Sequence, residues 1–258
     1  RGIHVVSANK AVIARRPDLE VRARHNGTRF VYSAAVGGGV PVLETLQRLT
    51  ASGETIQSVR GVLNGTSNFV LGLLEQGIGF DQAIAAAQAA GFAEADPSAD
   101  IDGLDAAAKL ALIARKAYGT APDTQSIPAD SLLAIEPGQV CGARENGLRY
   151  RQVAELSRSE NGDIDARVRL IALPEDHPLA DAVRKALSSV HDPEIPVNIF
   201  DLGLIYEARI DEHAGVQEPL QLADLVGDRG GRAAARRGCE RLHPRDAVRL
   251  PPARRVAH

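Results

Sequence analysis

Gly91-Phe92-Ala93-Glu94-Ala95-Asp96-Pro97-Ser98-Ala99-Asp100-Ile101-Asp102-Gly103-Leu104-Asp105-Ala106-Ala107-Ala108-Lys109 is the stretch on which the reading of this chain turns. It opens with a glycine that stops an Ala-rich helical run over residues 82–90. A polar, acidic loop over 92–102 follows, and Asp102 or Gly103 then starts a helix reaching about Tyr118. Asp105 and Lys109 stand four apart on that helix, so they project from one face, and the intervening alanines leave the space above it open. Glu94, Asp96 and Asp100 bring further carboxylates onto the loop leading in. A lysine among carboxylates can give and take a proton, its pKa set by burial against neighbouring charge. The same residues also fit a solvated acidic loop with an ordinary helix-surface ion pair, and taken alone that is their commoner meaning.

Upstream, residues 2–7 read as the end of a buried strand (Ile3, Val5, Val6) entering the turn Ser7-Ala8-Asn9-Lys10. Residues 28–35 read as a second strand that ends at the glycines 37–39, and Pro41 suits the first turn of a helix. Val42, Leu43, Leu46 and Leu49 continue it at helical spacing. Residues 57–63 are expected as a strand, 64–67 as a turn, 68–76 as a helix, and Asp81 as the N-cap of the helix over 82–90. Strands alternating with helices make this an α/β or α+β unit.

Downstream of Thr120 the periodic signals thin out through Pro122, Pro128 and Pro137. Residues 148–155 and 164–173 are expected to pair as strands, because Asn161-Gly162 between them is a strong hairpin cue. A helix over 179–190 and a short apolar segment over 202–206 follow. After Gly215 the chain is Arg-rich, lysine-free and aperiodic, a composition not expected to fold on its own.

The 258 residues are 44% hydrophobic and 24% charged with a formal net charge of -3, which favours small-molecule chemistry over nucleic acid or an anionic membrane as partner. Cys141 and Cys239 belong to no metal-binding or disulfide pattern, so a reducing cytosol is the expected compartment. No apolar run approaches the roughly 20 residues that span a bilayer. The chain begins at Arg1 and has no methionine, which suggests an N-terminal truncation.

Read as G-[FY]-A-E-A-D-P-x-x-D-x-x-G-x-D-A-A-x-K, the opening stretch resembles the signature segment of homoserine dehydrogenases. The resemblance implies that Lys109 is the acid/base, that Glu94 and Asp105 bind the amino-alcohol substrate, and that Gly91 lies against the cofactor. Ser7-Ala8-Asn9-Lys10 resembles the family's T-A-N-K turn, which implies a place for Lys10 near nicotinamide and substrate. Asn64-Gly65-Thr66-Ser67-Asn68-Phe69 is similar to its N-G-T-[TS]-N-[FY] turn beside the substrate, which adds Gly65 and Thr66. Ala34-Ala35-Val36-Gly37-Gly38-Gly39-Val40-Pro41 resembles E-A-A-V-G-G-G-I-P, with Ser33 at the glutamate position. It implies Val36, Gly38 and Val40 as backbone ligands of a monovalent cation (Na+).

The implied fold is α/β: the α+β substrate domain of a Rossmann-type dehydrogenase, most of whose dinucleotide-binding domain is missing, since no G-x-G-x-x-G fingerprint is present. The implied organisation is 1–25 as the end of that nucleotide domain, 26–145 as the catalytic domain and 146–180 as strands returning to the nucleotide domain. The implied function is an NAD- or NADP-dependent oxidoreductase interconverting L-homoserine and L-aspartate 4-semialdehyde in threonine and methionine biosynthesis. It would be cytoplasmic, and a homodimer through the substrate domain. A second resemblance starts where the first ends. His191-Asp192-Pro193-Glu194-Ile195-Pro196-Val197-Asn198-Ile199-Phe200-Asp201-Leu202-Gly203-Leu204-Ile205-Tyr206 is similar to a segment of SufT-like iron–sulfur assembly proteins. It implies a partial module over 181–215, ahead of the tail 216–258, and two alternatives to the enzyme: an iron–sulfur assembly module or an inactive fusion fragment.

Overall fold

The structure, a computed structural model, describes residues 2–38, 40–177, 179, 205–211 and 220–221. By its contacts the chain divides into Arg1–Gly227 and Asp228–His258. The second unit lies wholly outside the described residues, and every element named below belongs to the first.

The N-terminal stretch is a small strand–helix–strand unit. β1 (Val5–Val6) and β2 (Phe30–Val31) pair in parallel, with α1 (Lys10–Arg15) and α2 (Asp18–His25) between them. Asn9 starts α1 by accepting the Val12 N–H on its side chain. The strand over 2–7 was expected to be buried; instead Ile3, Val5 and Val6 are exposed, at 67%, 45% and 80%. Among the described residues β1 pairs only with the two-residue β2, which leaves its faces uncovered. The strand expected over 28–35 is likewise only Phe30–Val31. Local bonds from Ala35 N–H to the Tyr32 carbonyl, and from Val36 N–H to that of Ser33, curl Ser33–Ala35 into a 3-10 turn.

α3 (Val42–Ala51) follows Pro41, and β3 (Thr55–Val62) leads into α4 (Gly65–Leu74). Next come α5 (Phe80–Ala89), α6 (Ser98–Ile101) and α7 (Leu104–Tyr118). Gly79, rather than Asp81, occupies the N-cap of α5; Asp81 sits inside the first turn, where the helix dipole still favours a carboxylate. α6 is a short helix within the loop expected over 92–102. α7 runs where the apolar spacing places it. It buries Ala106, Ala107, Leu110, Ala111, Ile113, Ala114 and Ala117, and ends at Gly119 in the left-handed conformation. Its first residue follows Gly103, whose φ of 74° and tight surroundings exclude a side chain: a Cβ would meet Gln152 Nε2 at 2.9 Å.

α8 (Pro137–Glu145) occupies a stretch that carried no expected helix. β4 (Leu148–Arg158) and β5 (Ile164–Pro174) form the expected hairpin and run longer than expected at both ends of their pairing. β6 (Ile205–Asp211) and β7 (Leu220–Gln221) complete an antiparallel sheet of order β5-β4-β3-β6-β7. β4 and β5 are therefore joined through β3 to the same sheet as the strand that leads into the acidic segment's neighbours. The helix expected over 179–190, apart from Leu179, and most of the segments 181–215 and 216–258, apart from β6 and β7, lie outside the described residues.

Two apolar clusters cover the sheet. One joins Ile13, Leu43, Leu46, Val59, Leu63, Leu110, Ile113 and Leu156; the other joins Val70, Leu71, Leu74, Ala83, Ala87, Ile101, Leu132 and Val140. Between Leu63 of the first and Val70 of the second stand the buried polar side chains Asn64, Thr66 and Ser67. Burying polar groups is costly unless they are hydrogen-bonded, so this seam marks a site.

Candidate active site

The seam opens into a pocket of about 390 Å3. Lys10, Thr66, Gly91, Glu94, Asp105 and Lys109, all expected at the site, line it together with Asn64, Gly65, Asp96 and Asp100. Five elements deliver them: the start of α1, the β3–α4 turn with the first turn of α4, the loop after α5, α6, and the first two turns of α7.

Lys109 is the more enclosed of the two lysines in the pocket. Its Nζ donates to the Leu63 carbonyl at 2.6 Å and pairs with Asp105 Oδ2 at 2.8 Å, and its side chain is 12% exposed. Asp105 Oδ1 meets Lys10 Nζ at 2.6 Å, so one carboxylate serves two ammonium groups. Burial alone would push the Asp105 carboxyl up; Lys109 and Lys10 together hold it down to about 2. Asn64 Nδ2 adds a third contact to Asp105 Oδ2, at 2.9 Å, and reaches Asp100 Oδ1 at 2.6 Å. Sequence reasoning placed Asn64 only in a turn. Its position before Gly65-Thr66 signals an N-cap, and its side chain does accept the Ser67 N–H at 2.8 Å.

The acidic loop is tied down from behind. Thr66 Oγ1 donates to the Phe92 carbonyl at 2.5 Å, and the Phe69 and Phe92 rings stack with centroids 4.6 Å apart. Gln88 Nε2 donates to the Glu94 and Ala95 carbonyls at 3.1 and 3.2 Å. Thr66 thus meets the pocket with its hydroxyl proton already committed. The Glu94 carboxylate lines the pocket with no hydrogen bond or ion pair among the described residues. Asp96 accepts the Ser98 N–H at 3.1 Å, and the Ser98 contacts hold its carboxyl below the usual range. Gly91, with φ of 81° and no atom within 4 Å of a would-be Cβ, leaves its side of the pocket open.

Val36, Gly38 and Val40 stand apart from this pocket, on the turn between β2 and α3. One of the three expected carbonyls and the neighbouring Ser33 hydroxyl are already engaged. The Val40 carbonyl accepts the Val42 N–H at 2.8 Å, and the Ser33 hydroxyl is turned onto Glu44 Oε1. Among the described residues no three His, Cys, Asp or Glu side chains are grouped to hold a metal, and no helix is long and apolar enough to cross a membrane.

The pocket sets two lysines against one buried carboxylate, with a free carboxylate in the same lining. Residues 41–191 match the family model for homoserine dehydrogenase, and residues 180–217 match that for an iron–sulfur cluster assembly protein. The chain is 37% identical over 181 residues to the NAD(+)-dependent homoserine dehydrogenase of Pseudomonas canavaninivorans, covering 70% of this chain and 51% of that protein. A crystal structure of the Thiobacillus denitrificans homoserine dehydrogenase superposes with a TM-score of 0.67 at 30% identity, over 85% of this chain and 46% of that one. A hyperthermophilic archaeal homoserine dehydrogenase in complex with NADPH gives 0.63 at 26% identity, over 85% of this chain and 58% of that one. The chain belongs to the homoserine dehydrogenase family. It spans about half the length of the relatives it matches.

Proposed function

We propose that this chain carries the substrate half of an NAD- or NADP-dependent homoserine dehydrogenase, acting in the cytoplasm in threonine and methionine biosynthesis. The reading assigns residues 1–25 to the end of a nucleotide-binding domain and 26–145 to catalysis, with homodimerisation through the latter. One observation carries it: the Lys109 ammonium, held by Leu63 and Asp105, lines the same pocket as the free Glu94 carboxylate.

An ammonium has three N–H donors; Leu63 and Asp105 take two, which leaves one for a substrate oxygen. In the direction of aldehyde reduction, Lys109 gives that proton to the carbonyl oxygen as it becomes a hydroxyl; in the reverse direction neutral Lys109 removes it. Glu94 and the second oxygen of Asp100 are placed to hold the substrate ammonium. Asp105 uses three of its roughly four acceptor positions on Lys10, Lys109 and Asn64, so its contribution to substrate passes chiefly through the lysines it holds. Lys10 and Gly91 border the open side where the nicotinamide would lie, and the cofactor supplies the hydride. Val36, Gly38 and Val40 carry no step in this reading.

The test is calorimetric titration of the chain with homoserine, together with NADPH-dependent reduction of aspartate 4-semialdehyde. Lys109→Ala is expected to keep homoserine affinity within about threefold and to cut turnover by about 10²-fold or more. Parent-like turnover in that variant would sink the assignment. The match of residues 180–217 favours a second reading for that segment alone, as an iron–sulfur assembly element, which requires cluster transfer that is lost when the segment is deleted.

A further inference from the structure

We propose that Asn64 is a positioning residue for the lysine pair: its side-chain amide, clamped in one orientation, aims Asp105 at Lys10 and Lys109 and keeps Asp100 beside it. This role rests on the reading of the pocket given above.

The amide is fixed from three sides. Its Oδ1 accepts the buried Ser67 N–H at 2.8 Å, so Nδ2 must face the other way. There its two hydrogens are taken by Asp100 Oδ1 at 2.6 Å and Asp105 Oδ2 at 2.9 Å. With both hydrogens used, Asn64 has no donor left for a substrate; it acts through the carboxylates. A neutral amide is the group this position needs. It bridges two carboxylates without adding charge, whereas a cation would compete with Lys10 and Lys109 for Asp105, and a third carboxylate would repel both neighbours. The preceding residue completes the grip, since the Leu63 carbonyl accepts from Lys109 Nζ at 2.6 Å. Two adjacent residues of the β3–α4 turn therefore hold both members of the Asp105/Lys109 pair. The charged groups facing Asn64 are Asp100 on α6, Asp105 and Lys109 on α7, Lys10 on α1, and Glu94 and Asp96 on the loop.

The test uses the whole chain, which has only four lysines: Lys10, Lys109, Lys116 and Lys185. Reductive 13C-dimethylation makes each visible by NMR, and Lys10→Arg and Lys109→Arg assign the two signals of interest. Asn64→Asp is nearly isosteric and keeps an acceptor for Ser67. It is expected to shift the dimethyl signals of Lys10 and Lys109, because a like charge replaces the amide hydrogens that bridge Asp100 and Asp105. Lys116, which pairs with Glu20 at 2.6 Å away from this pocket, is expected not to move. Unchanged signals at Lys10 and Lys109 in the folded variant overturn the proposal. Asn64→Ser keeps a good helix cap and removes the bridge. It is expected to melt within about 2 °C of the parent and to bind homoserine about 10-fold more weakly. Parent-like affinity there overturns the proposal even if Asn64→Asp does not fold. A parent chain that binds no homoserine, while the lysine signals still move in Asn64→Asp, overturns the pocket's assignment instead and leaves the positioning role standing.

Discussion

At the scale of single residues, the site is a problem in charge placement. Asp105 is a buried carboxylate that stays ionised because two lysines face it, and its folded-state pKa of about 2 lies below the ordinary 3.8. A depressed carboxylate pKa contributes stability that is fully present above the unfolded value and lost as pH falls through the folded one. The pH-dependent advantage of the parent over Asp105→Asn is therefore expected to be flat above about pH 4, of order 2 kcal/mol, and gone by about pH 2. Urea unfolding of both proteins across that range checks it; an advantage that grows toward acid would contradict the ion-pair geometry. The roles of Lys109, Glu94 and Asp105 were implied only by the resemblance to homoserine dehydrogenases, but that Asp105 and Lys109 share one face was legible from helical spacing. The place of Asn64 was not. Its partners Asp100 and Asp105 are 36 and 41 residues away in the chain, and no local period encodes a contact of that range.

At the scale of elements, α7 shows where sequence reading works. Its start after Gly103, its alanine and leucine content and its stop before Gly119 are all local signals, and local physics decides them. Gly103 adds a tertiary constraint to the local one. Gly103→Ala must force a Cβ against Gln152 in a left-handed backbone, and is expected to cost about 1–3 kcal/mol in thermal or urea melts. A loss near zero would show that the Gln152 amide, which donates to the Asp130 carbonyl at 3.0 Å, can give way without cost. α8 shows the opposite case. Pro137 was counted among the residues that thin the pattern, yet it begins the helix, with Gln139 Oε1 accepting the Glu136 N–H in a capping arrangement. β1 failed for a different reason. An apolar run predicts burial only if something covers it, and the covering element is a property of the fold and not of the run.

At the scale of the whole molecule, the sheet is the frame that brings residues 10, 64, 94 and 109 together, and its middle strand is β3. β4 pairs with one edge of β3 from Ser58–Ser157 to Val62–Val153, and β6 pairs with the other from Val62–Ile205 to Thr55–Asp211. Ending the chain before residue 205 is therefore expected to leave β3 as an open edge. That form should melt lower and associate at concentrations where the full chain does not, as light scattering and thermal unfolding would register. A truncated chain with unchanged melting and mass would show that β6 adds nothing to the sheet. β6 also lies inside the residues that match the iron–sulfur assembly model, 180–217. One strand thus lies in the assembly-protein match and also pairs with β3, and its backbone groups on the β3 side can be engaged only once. A partner that reads this strand by edge pairing must first unzip it from β3. By the reciprocity of linked equilibria, whatever steadies this sheet makes that capture harder by the same factor.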